Sequence, residues 1–137
     1  MTEITGELLS LKDTELETIN PAEDIRNRDV VDPAGDKIGH VSDLLVDGDE
    51  RKVRLIEVAH GGLLGIGQEK VLIPVDAITR VDAEVVRIDR SRDVVAGAPA
   101  YDPEVGLRRD DYTGLYDYYG YAPFWGPGYI YPGYRGV

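Results

Sequence analysis

The sequence predicts a mainly β protein, a small antiparallel β-barrel of about six strands that precedes a short helix and an irregular aromatic tail. Short runs rich in Val, Ile and Leu recur between Asp29 and Asp89, and Gly, Pro and Asp separate them at roughly ten-residue spacing. The periodicity of an amphipathic helix is absent from this stretch. The chain has 137 residues, which is enough for one ordinary domain with a modest core.

The strands are expected in five apolar runs, which cover residues 30–31, 37–47, 53–59, 70–74 and 84–88. The Pro, Asp and Gly residues of 32–36 are typical of a tight turn, and residues 48–50 supply another. Ile38 and Val41 have opposite parity along their strand, so we expect a β-bulge near Gly39.

Two of these runs are apolar on both faces, at residues 55–56 and 71–73. One face of each strand must fill the barrel. The other face must therefore meet the N-terminal arm, a helix or a second copy of the protein. We expect the protein to self-associate, most simply as a homodimer.

Differences in residue composition and pattern divide the chain into four regions: an acidic N-terminal arm (1–27), the barrel (28–107), a short helix (108–120) and a tail rich in Tyr, Pro and Gly (121–137). The helix is predicted because Tyr112, Leu115, Tyr116 and Tyr119 are spaced three or four residues apart. Gly114 weakens this helix.

Composition limits the location and the partners of the chain. The formal charge is −11, and no cluster of Lys and Arg is present, which argues against nucleic acid or an anionic membrane surface as a partner. There is no cysteine and no run of about 20 apolar residues that would insert into a membrane. The first residues have no basic region followed by an apolar run, so we expect no signal peptide. We expect a cytoplasmic protein whose partner is another protein or itself.

Within the glycine-rich stretch from Gly61 to Gly67, the segment from Gly62 to Gly67 resembles the first half of a phosphate-binding loop, but the expected Lys is replaced by Gln68. We interpret the stretch as an inter-strand loop. The alternative is a small-ligand or metal-binding protein that uses this loop with His60 and Glu57. A metal site would need His40 and His60 together with a carboxylate such as Asp43 or Glu57. We favour structural histidines, and we predict no metal, no cofactor, no catalytic residue and no enzymatic activity.

Acidic residues are concentrated at the end of the run 37–47 and in the turn at residues 48–50. We interpret Asp47, Asp49 and Glu50 as a solvated acidic hairpin, because their spacing does not fit a calcium-binding loop.

The aromatic residues are concentrated at the C-terminus, where ten of the eleven lie between Tyr112 and Tyr134. Three interpretations stay open: the tail folds back over an apolar barrel face, associates weakly with copies of itself to drive a stress-related assembly, or offers a proline-rich ligand to a groove. The candidate interaction surface consists of apolar and aromatic side chains from the glycine loop, the helix and the tail: Leu63, Leu64, Ile66, Tyr116, Tyr119, Phe124, Trp125, Tyr129 and Tyr131.

Residues 43–58, Asp-Leu-Leu-Val-Asp-Gly-Asp-Glu-Arg-Lys-Val-Arg-Leu-Ile-Glu-Val, resemble the centre of the PRC-barrel family. Further similar segments are Gly-Asp-Lys-Ile-Gly at 35–39, Val-Leu-Ile-Pro at 71–74, Ala-Pro at 98–99 and Tyr-Tyr-Gly at 118–120. The resemblance extends from about residue 20 to residue 121.

The PRC-barrel family is named for the cytoplasmic domain of the photosynthetic reaction centre H subunit, and it includes the C-terminal domain of a ribosome maturation factor. The resemblance implies a small barrel used as an adaptor. In the H subunit, acids that match Asp47 and Glu50 lie beside a proton path. This sequence shows no membrane helix like that of the H subunit, so we expect the two acids to be hairpin residues.

Overall fold

A computed structural model describes residues 8–10, 24–47, 52–61, 69–99, 101 and 109–124. Seven strands are present in these ranges: β1 (Leu8–Ser10), β2 (Asp29–Val31), β3 (Lys37–Asp47), β4 (Val53–His60), β5 (Glu69–Pro74), β6 (Ile78–Val81) and β7 (Val85–Ile88). A 3-10 turn at Val75–Ala77 joins β5 to β6, and two helices follow, α1 (Arg92–Ala96) and α2 (Arg109–Tyr119).

Six of the strands form one sheet in the order β5-β4-β3-β2-β7-β6, and this sheet curls into a half-barrel. The short strand β1 pairs separately with the end of β3. The mainly β prediction is confirmed, with one correction: β2 and β7 run parallel. The alternation of apolar residues does not encode strand direction, and the long connection from β2 to β7 permits the parallel arrangement.

The five predicted runs correspond to β2, β3, β4, β5 and β7. Sequence reasoning did not predict β1, β6 or α1. Strand β6 is four residues long and follows β5 after a single 3-10 turn, so no turn-rich break marks its start. Ser91 begins α1 by accepting a hydrogen bond from the Val94 amide through its side chain.

The bulge expected near Gly39 is confirmed. In the pairing of β2 with β3, Val30 lies opposite Gly39 and Val31 lies opposite Lys37, so Ile38 is the extra residue. A second shift leaves Ser42 unpaired against β4. These bulges bend the eleven-residue strand β3, which lets it pair with β2 at one end and with β1 at the other.

The core is aliphatic inside the barrel, and β4 is buried on both faces from Val53 to Ala59. Register places the buried residues Leu44, Ile56 and Ile73 side by side across three strands. The successive residues Leu55 and Ile56 point to opposite faces, so both sides of β4 are covered by other parts of the chain.

Helix α2 is one of the segments that bury the sheet, and it confirms the predicted C-terminal helix. It packs against β5 and buries Leu115, Tyr116 and Tyr119. Gly120 ends the helix with a φ of +81°, a conformation that glycine adopts at little cost. The amides of Gly120 and Tyr121 both donate to the Tyr116 carbonyl oxygen. Neither helix in the described ranges has the length and apolar character needed to cross a bilayer.

Candidate functional site

The segment of residues 109–124, called here the C-terminal cover, comprises α2 and the five residues that follow it. Its buried aromatic residue Phe124 lies beneath the guanidinium of Arg54, whose carbon is 4.7 Å from the ring centre. The Tyr116 and Phe124 rings are 5.9 Å apart, and the Tyr116 hydroxyl donates to the Arg54 carbonyl oxygen at 3.4 Å. Arg54 is only 2% exposed. The cover therefore meets β4 through aromatic rings around a buried cation.

A second group of contacts fixes the end of the cover beside β7. The Tyr121 hydroxyl donates to Asp89 Oδ1 at 2.5 Å, and the Arg90 guanidinium lies 4.6 Å from the centre of the Tyr121 ring. Arg90 Nη1 donates to Asp89 Oδ1 at 2.8 Å, and Arg90 Nη2 donates to the Tyr119 carbonyl oxygen at 2.7 Å. We call Asp89, Arg90 and Tyr121 the latch, because they tie the cover to the barrel through charge-assisted contacts.

Tyr118 attaches the cover to α1. Its hydroxyl donates to the Val94 carbonyl oxygen at 2.5 Å, and its ring packs edge-on against Tyr119 with 5.1 Å between centres. Tyr118 is 41% exposed and is the only large hydrophobic side chain found exposed in the described residues. Tyr116 and Tyr119 are thus buried inside the chain, and Tyr118 is partly exposed.

Burial raises the pKa of the Tyr119 phenol, and burial together with the hydrogen bond to Asp89 raises the pKa of Tyr121. Unfolded tyrosine ionises near pH 10. Above that pH the unfolded chain loses protons that the folded chain keeps, so the free energy of unfolding should fall as pH rises. Urea titrations from neutral to alkaline pH should show this fall. The free energy of unfolding should fall less steeply with pH in the double variant Y119F/Y121F. Equal slopes in the two proteins would contradict the assignment of this pH dependence to Tyr119 and Tyr121.

The buried Tyr119 hydroxyl has no hydrogen-bond partner among the described residues. Because an unsatisfied buried hydroxyl is costly, Y119F should keep or raise the free energy of unfolding, by up to about 1 kcal/mol. The matched variant Y116F removes a hydroxyl that donates to Arg54 and should lower it by roughly 0.5–1 kcal/mol. Urea denaturation of both variants tests the contrast, and a clear loss of stability in Y119F would refute it.

Three charged residues, called here the buried charge strip, lie on one face of the sheet. Asp43 and Glu57 are directly opposite each other on β3 and β4, and each is 1% exposed. Lys70 on β5 is the diagonal neighbour of Glu57, and its Nζ is 3.3 Å from Glu57 Oε1. This ion-pair contact lacks the alignment of a hydrogen bond. Two buried carboxylates thus share one face with a partly exposed cation.

The two histidines do not form one site. His40 lies opposite Ala59, whereas His60 is the next residue of β4 and points to the other face. Glu57 shares the face of His40 rather than that of His60. His60 Nε2 is 3.9 Å from Glu69 Oε2, and no group of three metal-ligating side chains occurs in the described ranges.

A polar hollow of about 370 Å³ lies where the chain enters β2, and it is lined by Asp24, Arg26, Asn27 and Ser42. Asp24 and Arg26 form a two-point ion pair, with Nε–Oδ1 at 2.8 Å and Nη2–Oδ2 at 2.6 Å. The hydrogen bond from Arg26 lowers the pKa of Asp24, and the same contact raises the pKa of Arg26. Because Asp24 and Arg26 neutralise each other, this ion pair offers little net charge to a ligand in the hollow.

The profile of the PRC-barrel domain matches residues 17–95, more than half of the chain, and these residues contain β2 to β7. The chain belongs to the PRC-barrel family. Among curated proteins, no match to the sequence was found. The C-terminal cover follows the matched range in the sequence, and its helix α2 packs against strand β5 of the PRC-barrel.

The PRC-barrel buries three residues of the expected interaction surface. Tyr116, Tyr119 and Phe124 lie in the core and do not present an exposed surface in this chain. Other members of that surface fall outside the described residues: Leu63, Leu64, Ile66, Trp125, Tyr129 and Tyr131. In the acidic hairpin, Asp47 ends β3, while Asp49 and Glu50 fall outside the described residues.

Sequence reasoning missed the polar residues that hold the cover, namely Arg54, Asp89, Arg90 and Tyr121. Arg54 carried a weak signal, because it is a charged residue near the start of a mostly apolar strand. Asp89 and Arg90 are ordinary charged residues after a strand, and nothing local marks them as contacts of a helix about 30 positions later.

Proposed function

We propose that this PRC-barrel is a non-catalytic adaptor that binds a protein partner and associates with itself in the cytoplasm. The observation that supports the proposal most directly is the way the barrel already holds the cover. Helix α2 buries Leu115, Tyr116 and Tyr119 against the sheet. At the margin, the Tyr116 hydroxyl donates to the Arg54 carbonyl oxygen, and the Arg90 guanidinium donates to the Tyr119 carbonyl oxygen. This packing is similar to the helix-in-groove mode by which many modules recognise amphipathic helices.

The surface that holds the helix combines features common at recognition sites. It offers an aliphatic strand pair, β4 and β5, and a buried arginine that packs on an aromatic ring. Tyrosine, phenylalanine and arginine are enriched where proteins bind one another. The acidic character of the chain, with a formal charge of −11, favours a basic or neutral partner.

The side chains named for a ligand-binding alternative lie on two faces of the sheet, with His40 and Glu57 on one and His60 on the other. That arrangement gives no observation in favour of a small-ligand site, so the adaptor is the function that we put forward.

Light scattering of the full chain over a range of concentrations tests self-association, and chemical crosslinking with mass spectrometry maps the contact. We expect a concentration-dependent dimer with crosslinks near β4, β5 and α2. The variant D117N changes an exposed helix residue and should leave the dimer unchanged. A monomer at every concentration, together with no protein bound to the full chain in a pull-down, would overturn the proposal.

A further inference from the structure

The cover is attached to the barrel differently from the way the strands are attached to one another. Every strand is joined to a neighbour by a ladder of backbone hydrogen bonds. In the described part of the chain, by contrast, no backbone-to-backbone hydrogen bond joins residues 109–124 to the barrel. The hydrogen bonds that join the two there involve side chains: Tyr116 to Arg54, Tyr118 to Val94, and those of the latch. Opening the cover would therefore leave the sheet ladders intact.

The contact between cover and barrel is also more polar than the barrel interior. It encloses the Arg54 guanidinium and the Tyr119 hydroxyl, whereas the inner face of the sheet, with Leu44, Ile56 and Ile73, is aliphatic. Contacts of this composition resemble interfaces between separable units rather than a permanent core.

Helix α2 depends on docking for its own structure. It has eleven residues, carries Gly114 in its middle and is rich in tyrosine. Isolated helices shorter than about 12–15 residues are marginal in water, and a central glycine weakens them further. The helix should therefore form and dissolve together with its contacts, as one cooperative unit.

We propose that the cover, residues 109–124, opens as a unit while the barrel stays folded, and that the surface it leaves on β4 and β5 takes the same segment of a second copy. The occupant is argued from complementarity, because this surface already binds this segment. In a reciprocal exchange, each copy regains the Arg54 stacking and the latch contacts that it gave up, so the change costs little apart from the entropy of association. This inference rests on the self-association in the proposed function and assigns its mechanism.

Hydrogen exchange on the full chain tests the opening step. The amides of α2 should exchange before those of β4 and β5. Y121F removes the hydroxyl of the latch and should speed exchange in α2 by about fivefold to tenfold while β4 and β5 stay unchanged. D117N, on the exposed side of the same helix, should change neither. Exchange of α2 only together with β4 and β5 would overturn the proposal.

Capture of a synthetic, fluorescently labelled peptide of residues 109–124 by the full chain tests the exchange step. The peptide should bind, and it should bind more tightly to Y121F because the cover of that variant opens more often. A peptide carrying L115D should not bind, since Leu115 is buried in the contact. If light scattering shows dimers but the peptide is never captured, the exchange is refuted while the proposed self-association stands.

Discussion

Replacing Lys70 with methionine is expected to lower the free energy of unfolding by about 3 kcal/mol. Lys70 Nζ is 3.3 Å from Glu57 Oε1 and contributes the cation of the buried charge strip. Methionine keeps most of the length of the side chain but removes the charge. Glu57 would then be buried opposite the carboxylate of Asp43, and like charges directly across a strand pair destabilise a sheet. The value is placed at the low end of the range for broken buried pairs because the Lys70 side chain is 29% exposed.

A double-mutant cycle separates the charge from the packing. In the K70M background, E57Q removes the stranded charge and should recover much of the lost stability, whereas E57Q alone should be destabilising. K70R keeps the cation and should be nearly neutral. Urea denaturation of the unmodified chain and of the four variants (K70M, K70R, E57Q and K70M/E57Q) measures each value. If K70M and K70R are equally stable, or if E57Q gives no recovery in the K70M background, the pair has no energetic role.

The parts of the fold that the sequence predicted are those set by local pattern. Branched residues between turn-forming residues identified five strands, and the opposite parity of Ile38 and Val41 identified the bulge. Strand direction was predicted less well, because the parallel pairing of β2 with β7 depends on how the chain returns after β6. Strand β6 was missed because Ile78–Val81 is short and no turn-rich segment precedes it.

In the candidate site, too, the sequence predicted what depends on local pattern and missed what depends on contacts between distant residues. The spacing of Leu115, Tyr116 and Tyr119 predicted an apolar helix face, but the sequence left open whether that face meets the barrel, another copy or a partner. The structure places these side chains in the core of the same chain. Their polar contacts join residues up to 62 positions apart, as in the hydrogen bond from Tyr116 to Arg54, and no local pattern encodes pairings at that separation.

The second large effect is expected at Gly39, which lies in the bulge of β3. A Cβ atom placed there would collide with the Ala59 carbonyl oxygen and would crowd the Val58 side chain. The obstacle is space, because Gly39 is not among the glycines with positive φ. Ala59 is held in place by pairing on both sides, with His40 of β3 and Lys70 of β5, so it has little freedom to move away. G39A should therefore lower the free energy of unfolding by about 2–3 kcal/mol, and G39V by more.

The control for G39A is the same substitution in the cover. A Cβ on Gly114 would meet no atom within 4 Å, and Gly114 lies in the middle of α2. Alanine favours a helix over glycine by roughly 1 kcal/mol, so G114A should raise the free energy of unfolding. Chemical denaturation of the two variants compares one added methyl group in a crowded bulge with the same group on an open helix face. A neutral G39A would mean that β3 can shift away from Ala59, in which case the close approach does not fix the register of β3 on β4.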